Sequence, residues 1–174
     1  MQNSSQKIIE FTLVHNQHKK KLYNYAFKML WDQPACEDII QNTFMKLYEN
    51  LEKIRNAERI EVWLFTTVRN QIYTLFRNKR IHVDQYGVAD TDELELDSNY
   101  KLAEEYEDVE LKEIVMTELN KLPVEQKEVF LLKEYGGFSY KEISAMIKID
   151  EELVKSRLHK TRQKLIKQIS KVLV

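Results

Sequence analysis

The chain has 174 residues, a formal net charge of −1, and only 3 glycines and 2 prolines. Average usage of these two residues is about 12%, so tight turns are scarce, which disfavours sandwiches, barrels and glycine-rich phosphate loops. The single Cys36 excludes an intramolecular disulfide and a paired-cysteine metal site. Because no apolar run approaches the ~20 residues of a membrane span and the start has no signal-peptide core, we expect a cytoplasmic protein.

Charge is distributed unevenly along the chain. Residues 7–83 contain 13 Lys/Arg and 8 Asp/Glu, residues 84–113 contain 2 and 12, and residues 114–174 contain 12 and 8. Two mildly basic blocks are thus separated by a strongly acidic stretch, whose self-repulsion favours an extended or partly helical linker. We predict two domains, 1–83 and 111–174, joined by an acidic linker at 84–110.

Apolar residues of the first block recur at helical spacing, which predicts three or four helices. Asp32 and Pro34 form a start signal for the second helix, and Glu37 and Asp38 are predicted in its first turn, where carboxylates favour the helix dipole. The polar stretch 54–61 interrupts the spacing and is predicted to be a loop. No segment alternates like a strand, so the predicted fold class is all-α.

The second block carries the most specific local signal. Ser139 and Glu142 form a capping box that opens a short helix, residues 148–149 make a tight connection, and Asp150 caps a longer helix. Two helices joined by about three residues form a helix-turn-helix. The second of them has an acid-free basic run from Lys155 to Lys171, which is typical of nucleic-acid binding, although an arbitrary basic run is more often a solvated face.

These segments resemble the extracytoplasmic-function sigma factors, the smallest group of the main bacterial sigma family, which directs RNA polymerase to promoters. Residues 119–165, with the motifs VFLL, GFSYKEI and VKSRLHKTR, are similar to the family's fourth region. Residues 36–51 (CEDIIQNTFMKLYENL) resemble the second-region helix that binds the clamp of core polymerase, and residues 62–80 the helix that meets melted promoter DNA. The resemblance spans nearly the whole chain.

The resemblance implies a role for each set of matching residues. In the second helix, Glu37, Asp38 and Gln41 are expected to contact core RNA polymerase, although Glu37 and Asp38 are equally explained by the helix dipole. For the minus-ten element, the resemblance implies a loop that captures a flipped base and a helical stripe that meets unpaired DNA. The residues assigned to that element are Arg55, Asn56, Thr66, Asn70, Tyr73, Arg77 and Arg80.

The recognition helix is expected to meet the minus-thirty-five element as duplex DNA, through base-edge and phosphate contacts. The matching residues are Lys155, Ser156, Arg157, His159, Lys160 and Arg162. This chain has Lys148 where the family's turn commonly has glycine, and its loop at 54–61 departs from the commoner pattern. The resemblance further implies an anti-sigma factor as a partner and no cofactor.

Other function classes remain open at this stage. An enzyme is disfavoured because the four histidines form no metal-binding motif and a phosphate-binding loop lacks its glycines. The main alternative is a stand-alone helix-turn-helix regulator with an unrelated helical first block. A third is a helical interaction protein whose basic face is only solvated surface. Neither alternative requires the helix at 36–51 followed, after a loop, by the helix at 62–80.

Overall fold

The computed structural model describes residues 2–54, 57–86 and 106–173. The chain divides into two compact units, Met1–Leu94 and Glu95–Val174. Every regular element in the described ranges is a helix, so the prediction of an all-α chain with two helical domains is confirmed. None of the described helices is long and apolar enough to cross a membrane.

The first unit is a three-helix bundle of α1 (Gln2–Leu30), α2 (Gln33–Asn50) and α3 (Ala57–Tyr86). Each helix packs on the other two through one apolar stripe. Leu22 of α1, Leu47 of α2 and Leu64 of α3 are each 0% exposed at the shared seam. The seam therefore leaves the remaining faces of all three helices for other contacts.

The connection between α1 and α2 is tight. Trp31 adopts a left-handed φ of 52°, and the Asp32 side chain then accepts a hydrogen bond from the Ala35 backbone N–H at 3.1 Å. The predicted start signal at Asp32 is thus confirmed. The predicted place of Glu37 and Asp38 in the first turn is wrong, because α2 begins at Gln33 and its first turn has no acidic residue. The helix-dipole explanation for these two carboxylates weakens accordingly, since the effect falls off beyond the first turn.

Two sequence-based boundaries differ from the structure. The loop predicted at 54–61 is too long, because α3 begins at Ala57 and already buries Ile60, which is 8% exposed. Ile60, Leu64 and Val68 lie four residues apart, so one apolar stripe continues through a stretch whose composition is polar. Helices α3 and α4 also extend into both ends of the predicted acidic linker, to Tyr86 and from Tyr106. Its remainder, 87–105, lies outside the described residues.

The second unit contains α4 (Tyr106–Asn120), α5 (Val124–Phe130), a π-helical turn (Leu131–Tyr135), α6 (Tyr140–Ile147) and α7 (Glu151–Val172). Helix α7 packs on α4, α5 and α6. The core of this unit consists of apolar side chains that are almost completely buried. They include Leu119, Val129, Leu131, Leu132, Phe138, Ile143, Met146, Val154, Leu158 and Leu165.

Helices α6 and α7 form the predicted helix-turn-helix. The Ser139 hydroxyl accepts from the Glu142 N–H at 3.1 Å, and the Glu142 carboxylate accepts from the Ser139 N–H at 3.0 Å. Asp150 accepts from the Leu153 N–H at 2.8 Å, and the Ser144 hydroxyl donates to the Ile149 carbonyl in the turn. Both predicted caps are confirmed: the Ser139 capping box fixes the start of α6, and the hydrogen bonds of Ser144 and Asp150 fix the turn between α6 and α7.

Lys148 ends α6 in the left-handed region, with φ 58° and ψ 47°. A side chain with a β-carbon is strained there by about 1–2 kcal/mol, and glycine is not. We expect Lys148→Gly to stabilise the second unit by about 1 kcal/mol, because Lys148 is exposed and its side chain contributes little packing. Hydrogen exchange of the α6 and α7 amides measures this change in stability. Tryptophan fluorescence would not report on the second unit, because both tryptophans, Trp31 and Trp63, lie in the other unit.

The matched control for this substitution is Lys141→Gly. Lys141 is also exposed but lies inside α6, where glycine costs about 1 kcal/mol relative to alanine. The two substitutions should therefore shift stability in opposite directions. Destabilisation by both would contradict the left-handed assignment of Lys148.

Lys127 of α5 is 7% exposed, and burial lowers the pKa of its ammonium to about 8. Between pH 8 and the ordinary lysine value the unfolded state binds more protons than the folded state, so we expect the stability of the second unit to rise with pH over that window. At pH 7 the buried charge is a cost, and Lys127→Met should stabilise this unit by roughly 2 kcal/mol and abolish the rise. Hydrogen exchange across this pH window, with Lys141→Met as the exposed control, tests both expectations.

Candidate functional site

A groove of about 650 Å³ lies between α1 and α2 in the first unit. The Phe11 and Phe44 rings meet edge to face on its floor, 6.3 Å apart, while Met45 remains 57% exposed. Glu37 and Gln41, two of the residues predicted to contact polymerase, line the same groove. An apolar floor with a carboxylate at its edge suits an amphipathic partner helix that carries a basic residue.

Asp38, the third residue predicted for this surface, is exposed on α2 and does not line the groove. Glu37 accepts a hydrogen bond from the Gln33 amide at 3.0 Å. The predicted trio is therefore exposed on one helix, with two of its members at the groove. The sequence did not single out the apolar residues Phe11, Met45 and Tyr48 beside them, because an aromatic or methionine at helical spacing is more often core.

The polar stripe predicted on α3 is present. Asn70 and Arg77 are exposed and Thr66 and Tyr73 half-buried, and their spacing of three and four residues places them on one face. The Thr66 hydroxyl donates to the Val62 carbonyl at 2.7 Å, which leaves its lone pairs available as acceptors. Arg80 is exposed near the end of the described α3 side chains. Arg55 and Asn56 lie outside the described residues.

Arg69 belongs to the same face and was missed. Its guanidinium lies 4.2 Å from the centre of the Tyr73 ring, and its Nη1 donates to Asn70 Oδ1 at 3.5 Å. The signal that could have identified Arg69 is its position four residues before Tyr73, the spacing of a cation–π pair on a helix. A cation, an amide and an aromatic ring thus lie together on the outer side of α3.

A second, polar cavity of about 320 Å³ lies between α2 and α3. Gln71, one of its lining residues, donates a hydrogen bond from its amide to Thr43 Oγ1 at 2.8 Å, and Thr43 is 0% exposed. Asn70 is the one residue of the predicted stripe that lines this cavity. The complete lining is Lys46, Asn50, Trp63, Thr67, Asn70, Gln71 and Thr74. Amide, hydroxyl and ammonium groups around an indole provide donors, acceptors and an aromatic surface, the groups that recognise an unpaired base.

Helix α7 presents most of the residues predicted for duplex DNA. Lys155, Ser156, His159, Lys160 and Arg162 are exposed, whereas Arg157 is half-buried. The opposite face is anchored to α5: the Thr161 hydroxyl is buried between them and lies 3.4 Å from the Gln126 carbonyl. Within the described part of α7, no acidic residue follows Glu152, so the charged side chains that α7 exposes beyond its first turn are all basic.

Arg162 has two partners that sequence reasoning missed. Its Nη2 donates to a carboxylate oxygen of Glu134 in the π-helical turn. The pKa of Arg162 is raised above its ordinary value, first by this hydrogen bond and to a lesser degree by Tyr140 at the start of α6. The Tyr140 ring also lies under two ammonium groups, 4.6 Å from Lys133 Nζ and 5.7 Å from Lys155 Nζ. Residues from three elements therefore meet beside the recognition helix.

The π-helical turn is held by a close approach at Gly136. The Gly136 N–H donates to the Leu131 carbonyl at 2.9 Å, five residues back. A β-carbon on Gly136 would lie 2.5 Å from the Leu132 carbonyl oxygen and 2.7 Å from the Phe138 ring. The predicted helix end at Gly136 and Gly137 is confirmed, and the structure adds that only glycine fits at the first of them.

Comparison with known families matches both units. The family described as sigma-70 region 2 matches residues 14–81, and sigma-70 region 4 matches residues 112–165. The two matches together span more than half of the chain, one on each unit and in the order that the resemblance predicted. The chain belongs to the sigma-70 family.

Curated relatives include extracytoplasmic-function sigma factors, and a solved sigma factor shares the fold. The sigma factor YlaC of Bacillus subtilis is 26% identical over 91% of this chain and 91% of its own length. The extracytoplasmic-function sigma factor SigW of the same organism is 29% identical over 87% of this chain and 84% of its own length. The sigma factor RpoE of Bartonella quintana, solved with the anti-sigma factor NepR, superposes with a TM-score of 0.68 at 24% identity over 98% of both chains.

This chain is thus an extracytoplasmic-function sigma factor, an alternative sigma factor that directs transcription initiation. The reading as a stand-alone regulator is not favoured, because its first unit would be unrelated to sigma region 2. The described residues also contain no group of three or more His, Cys, Asp or Glu side chains suited to a metal ion.

The glycine pair of this sigma factor gives a matched test of the π-helical turn. Gly136→Ala should destabilise the second unit by about 2–4 kcal/mol, because the backbone oxygen of Leu132 cannot yield to a β-carbon. Gly137→Ala should cost only about 1 kcal/mol, since Gly137 has φ 71° but open space around it. Hydrogen exchange of the α5 and α7 amides measures both. Equal effects would show that the close approach at Gly136 is relaxed in solution.

Proposed function

We propose that the first unit of this sigma factor docks on core RNA polymerase through Glu37, Asp38 and Gln41. All three are exposed on α2, and two of them edge the apolar groove whose floor includes Phe44 and Met45. The groove provides apolar area for affinity, and the carboxylates provide selection for a basic partner surface. This combination is the support for the proposal at this face.

We propose that α3 and the polar cavity beside it hold the minus-ten element once it has melted. Thr66, Asn70, Tyr73 and Arg77 would follow the strand, with Arg69 added by its contact with the Tyr73 ring. The cavity at Asn70 and Gln71 has the polar groups to receive an unpaired base. Arg55, Asn56 and Arg80 stay in this assignment on the resemblance alone.

We propose that α7 reads the minus-thirty-five element as duplex DNA. The assigned residues are Lys155, Ser156, Arg157, His159, Lys160 and Arg162. Exposed cations on a helix supported by a helix-turn-helix suit the major groove and its phosphates. The half-buried Arg157 has less of its side chain available than its neighbours, so we assign the principal contacts to the exposed members.

We further propose that the chain acts in the cytoplasm, without catalysis of its own, and is held inactive by an anti-sigma factor. Two solved relatives support the last point. RpoE of Bartonella quintana is bound to the anti-sigma factor NepR, and CnrH is bound to the cytosolic domain of CnrY. The proposed domain organisation is a polymerase-binding unit at 1–83, an acidic linker at 84–110 and a promoter-reading unit at 111–174.

The observation that carries the proposal is the presence, in one chain, of a groove-bearing unit that matches region 2 and an acid-free basic helix in a unit that matches region 4. Run-off transcription on fragments of the source genome, with sigma-free core polymerase, tests it directly. A transcript that starts at discrete sites only when this protein is present supports the proposal. Sequence-specific binding to DNA without polymerase, and no transcript, would instead support a stand-alone regulator.

Asp38→Arg should weaken binding to core polymerase by about tenfold or more, because it reverses a charge that faces a basic partner. Binding is measured by titrating labelled protein with core polymerase. Glu10→Arg is the matched control: Glu10 is exposed on α1 and does not line the groove, so this charge reversal should leave the affinity unchanged. Equal affinities for the two variants would refute the assignment of Asp38.

A further inference from the structure

The recognition helix has a partner whose charge is wrong for a DNA-binding surface. Glu134, an exposed carboxylate in the π-helical turn, accepts a hydrogen bond from Arg162 Nη2. An acid next to a DNA contact repels phosphate, so this residue should weaken DNA binding unless it does something else. Charge complementarity with DNA therefore does not explain why Glu134 lies beside the basic surface of α7.

Stability does not explain the pair. The side chains of Arg162 and Glu134 are 44% and 39% exposed, and exposed ion pairs contribute at most about 1 kcal/mol. The geometry is nevertheless specific, because Arg162 Nη2 of α7 donates a hydrogen bond to the Glu134 carboxylate of the π-helical turn, 28 residues away in the sequence. A long, flexible arginine is thereby restricted to one place before any DNA arrives.

We propose that Glu134 is a positioning residue that holds the Arg162 guanidinium in place for the minus-thirty-five element. Arginine loses up to about 2 kcal/mol of rotamer entropy when it becomes ordered, and pre-ordering it moves this cost from DNA binding to folding. This inference rests on the proposed DNA-binding role of α7. It adds one residue outside the recognition helix, Glu134, on which promoter selectivity depends.

The π-helical turn supplies the geometry. The hydrogen bond from the Gly136 N–H to the Leu131 carbonyl, five residues back, closes this turn, and Glu134 reaches Arg162 of α7 from it. Lys133, its neighbour, lies over the outer part of the same cluster, 4.6 Å from the centre of the Tyr140 ring. The π-helical turn therefore places the Glu134 carboxylate against one face of α7, where it accepts a hydrogen bond from Arg162.

The direction in which one substitution changes DNA affinity distinguishes a carboxylate that positions Arg162 from one that only repels DNA or sequesters Arg162. Glu134→Gln removes a negative charge near DNA, so a merely repulsive or sequestering carboxylate predicts tighter binding to every sequence. If Glu134 positions Arg162, the same change should weaken binding to the minus-thirty-five sequence roughly five- to tenfold, with no loss on duplexes in which that element is replaced. The ratio of the two affinities is the decisive readout, since a general loss of folding would lower both.

The experiment uses holoenzyme assembled from the full chain and core polymerase, with promoter duplexes obtained from run-off transcription. Binding is measured by fluorescence anisotropy at low temperature. The low temperature keeps the DNA strands paired, so the affinity for duplex DNA is measured separately from promoter melting. Glu151→Gln is the matched control, because Glu151 is an exposed acid in the first turn of α7 that is not paired with a cation assigned to DNA, whereas Glu152 is paired with Lys155. Glu151→Gln should raise the affinity for both duplexes slightly and leave their ratio unchanged.

A double-mutant cycle shows whether Glu134 acts through Arg162. In an Arg162→Met background, Glu134→Gln should no longer change the ratio of affinities. Higher affinity of the Glu134→Gln holoenzyme for both duplexes, or an undiminished effect in the Arg162→Met background, would overturn the inference. If the unchanged holoenzyme does not distinguish the two duplexes, the proposed role of α7 fails and this inference fails with it, whereas selectivity that Glu134→Gln leaves intact refutes the inference alone.

Discussion

The structure depends on the burial of one apolar stripe by each helix. Leu64 of α3 is 0% exposed and Leu158 of α7 is 1% exposed, and each anchors a helix that exposes most of its polar side chains on its other faces. Units of this size bury only a limited fraction of their surface. The faces outside the stripe therefore stay exposed and are available for partners. The stripe therefore fixes which way Asn70 and Lys155, each on the polar side of its helix, are presented to a partner.

Helix α2 is shared between two surfaces of the first unit. Met45 lines the apolar groove against α1, while the next residue, Lys46, lines the polar cavity against α3. Thr43, buried between them, accepts from Gln71 and joins α2 to α3. A single helix thus contributes side chains to both the groove and the cavity of the first unit.

In the second unit, the polar interactions around α6 and α7 are individually weak, and their main effect is to fix the positions of side chains. The hydrogen bonds that cap α6 and α7 are local, and the ion pair of Arg162 is exposed and weak. The position of α7 is set by its buried packing on α4, α5 and α6. The π-helical turn, with Gly136 at its end, sets the position of the residues that contact α7 beside it. The cost of this arrangement is visible at Lys148, which takes a left-handed conformation in a turn where a glycine would be unstrained.

The sequence by itself determined the helical class, the two blocks, the capped helix-turn-helix and the family, because these depend on spacing and local hydrogen bonds within a few residues. Asp32, Ser139 and Asp150 act within one turn of themselves, so their roles were visible in the chain. Only the tertiary structure decided what meets across helices: the groove floor at Phe11, the cavity at Gln71, and the contact of Glu134 with Arg162. The last pair is 28 residues apart and depends on a π-helical turn, which follows from packing around Gly136 and has no periodic signature in the sequence.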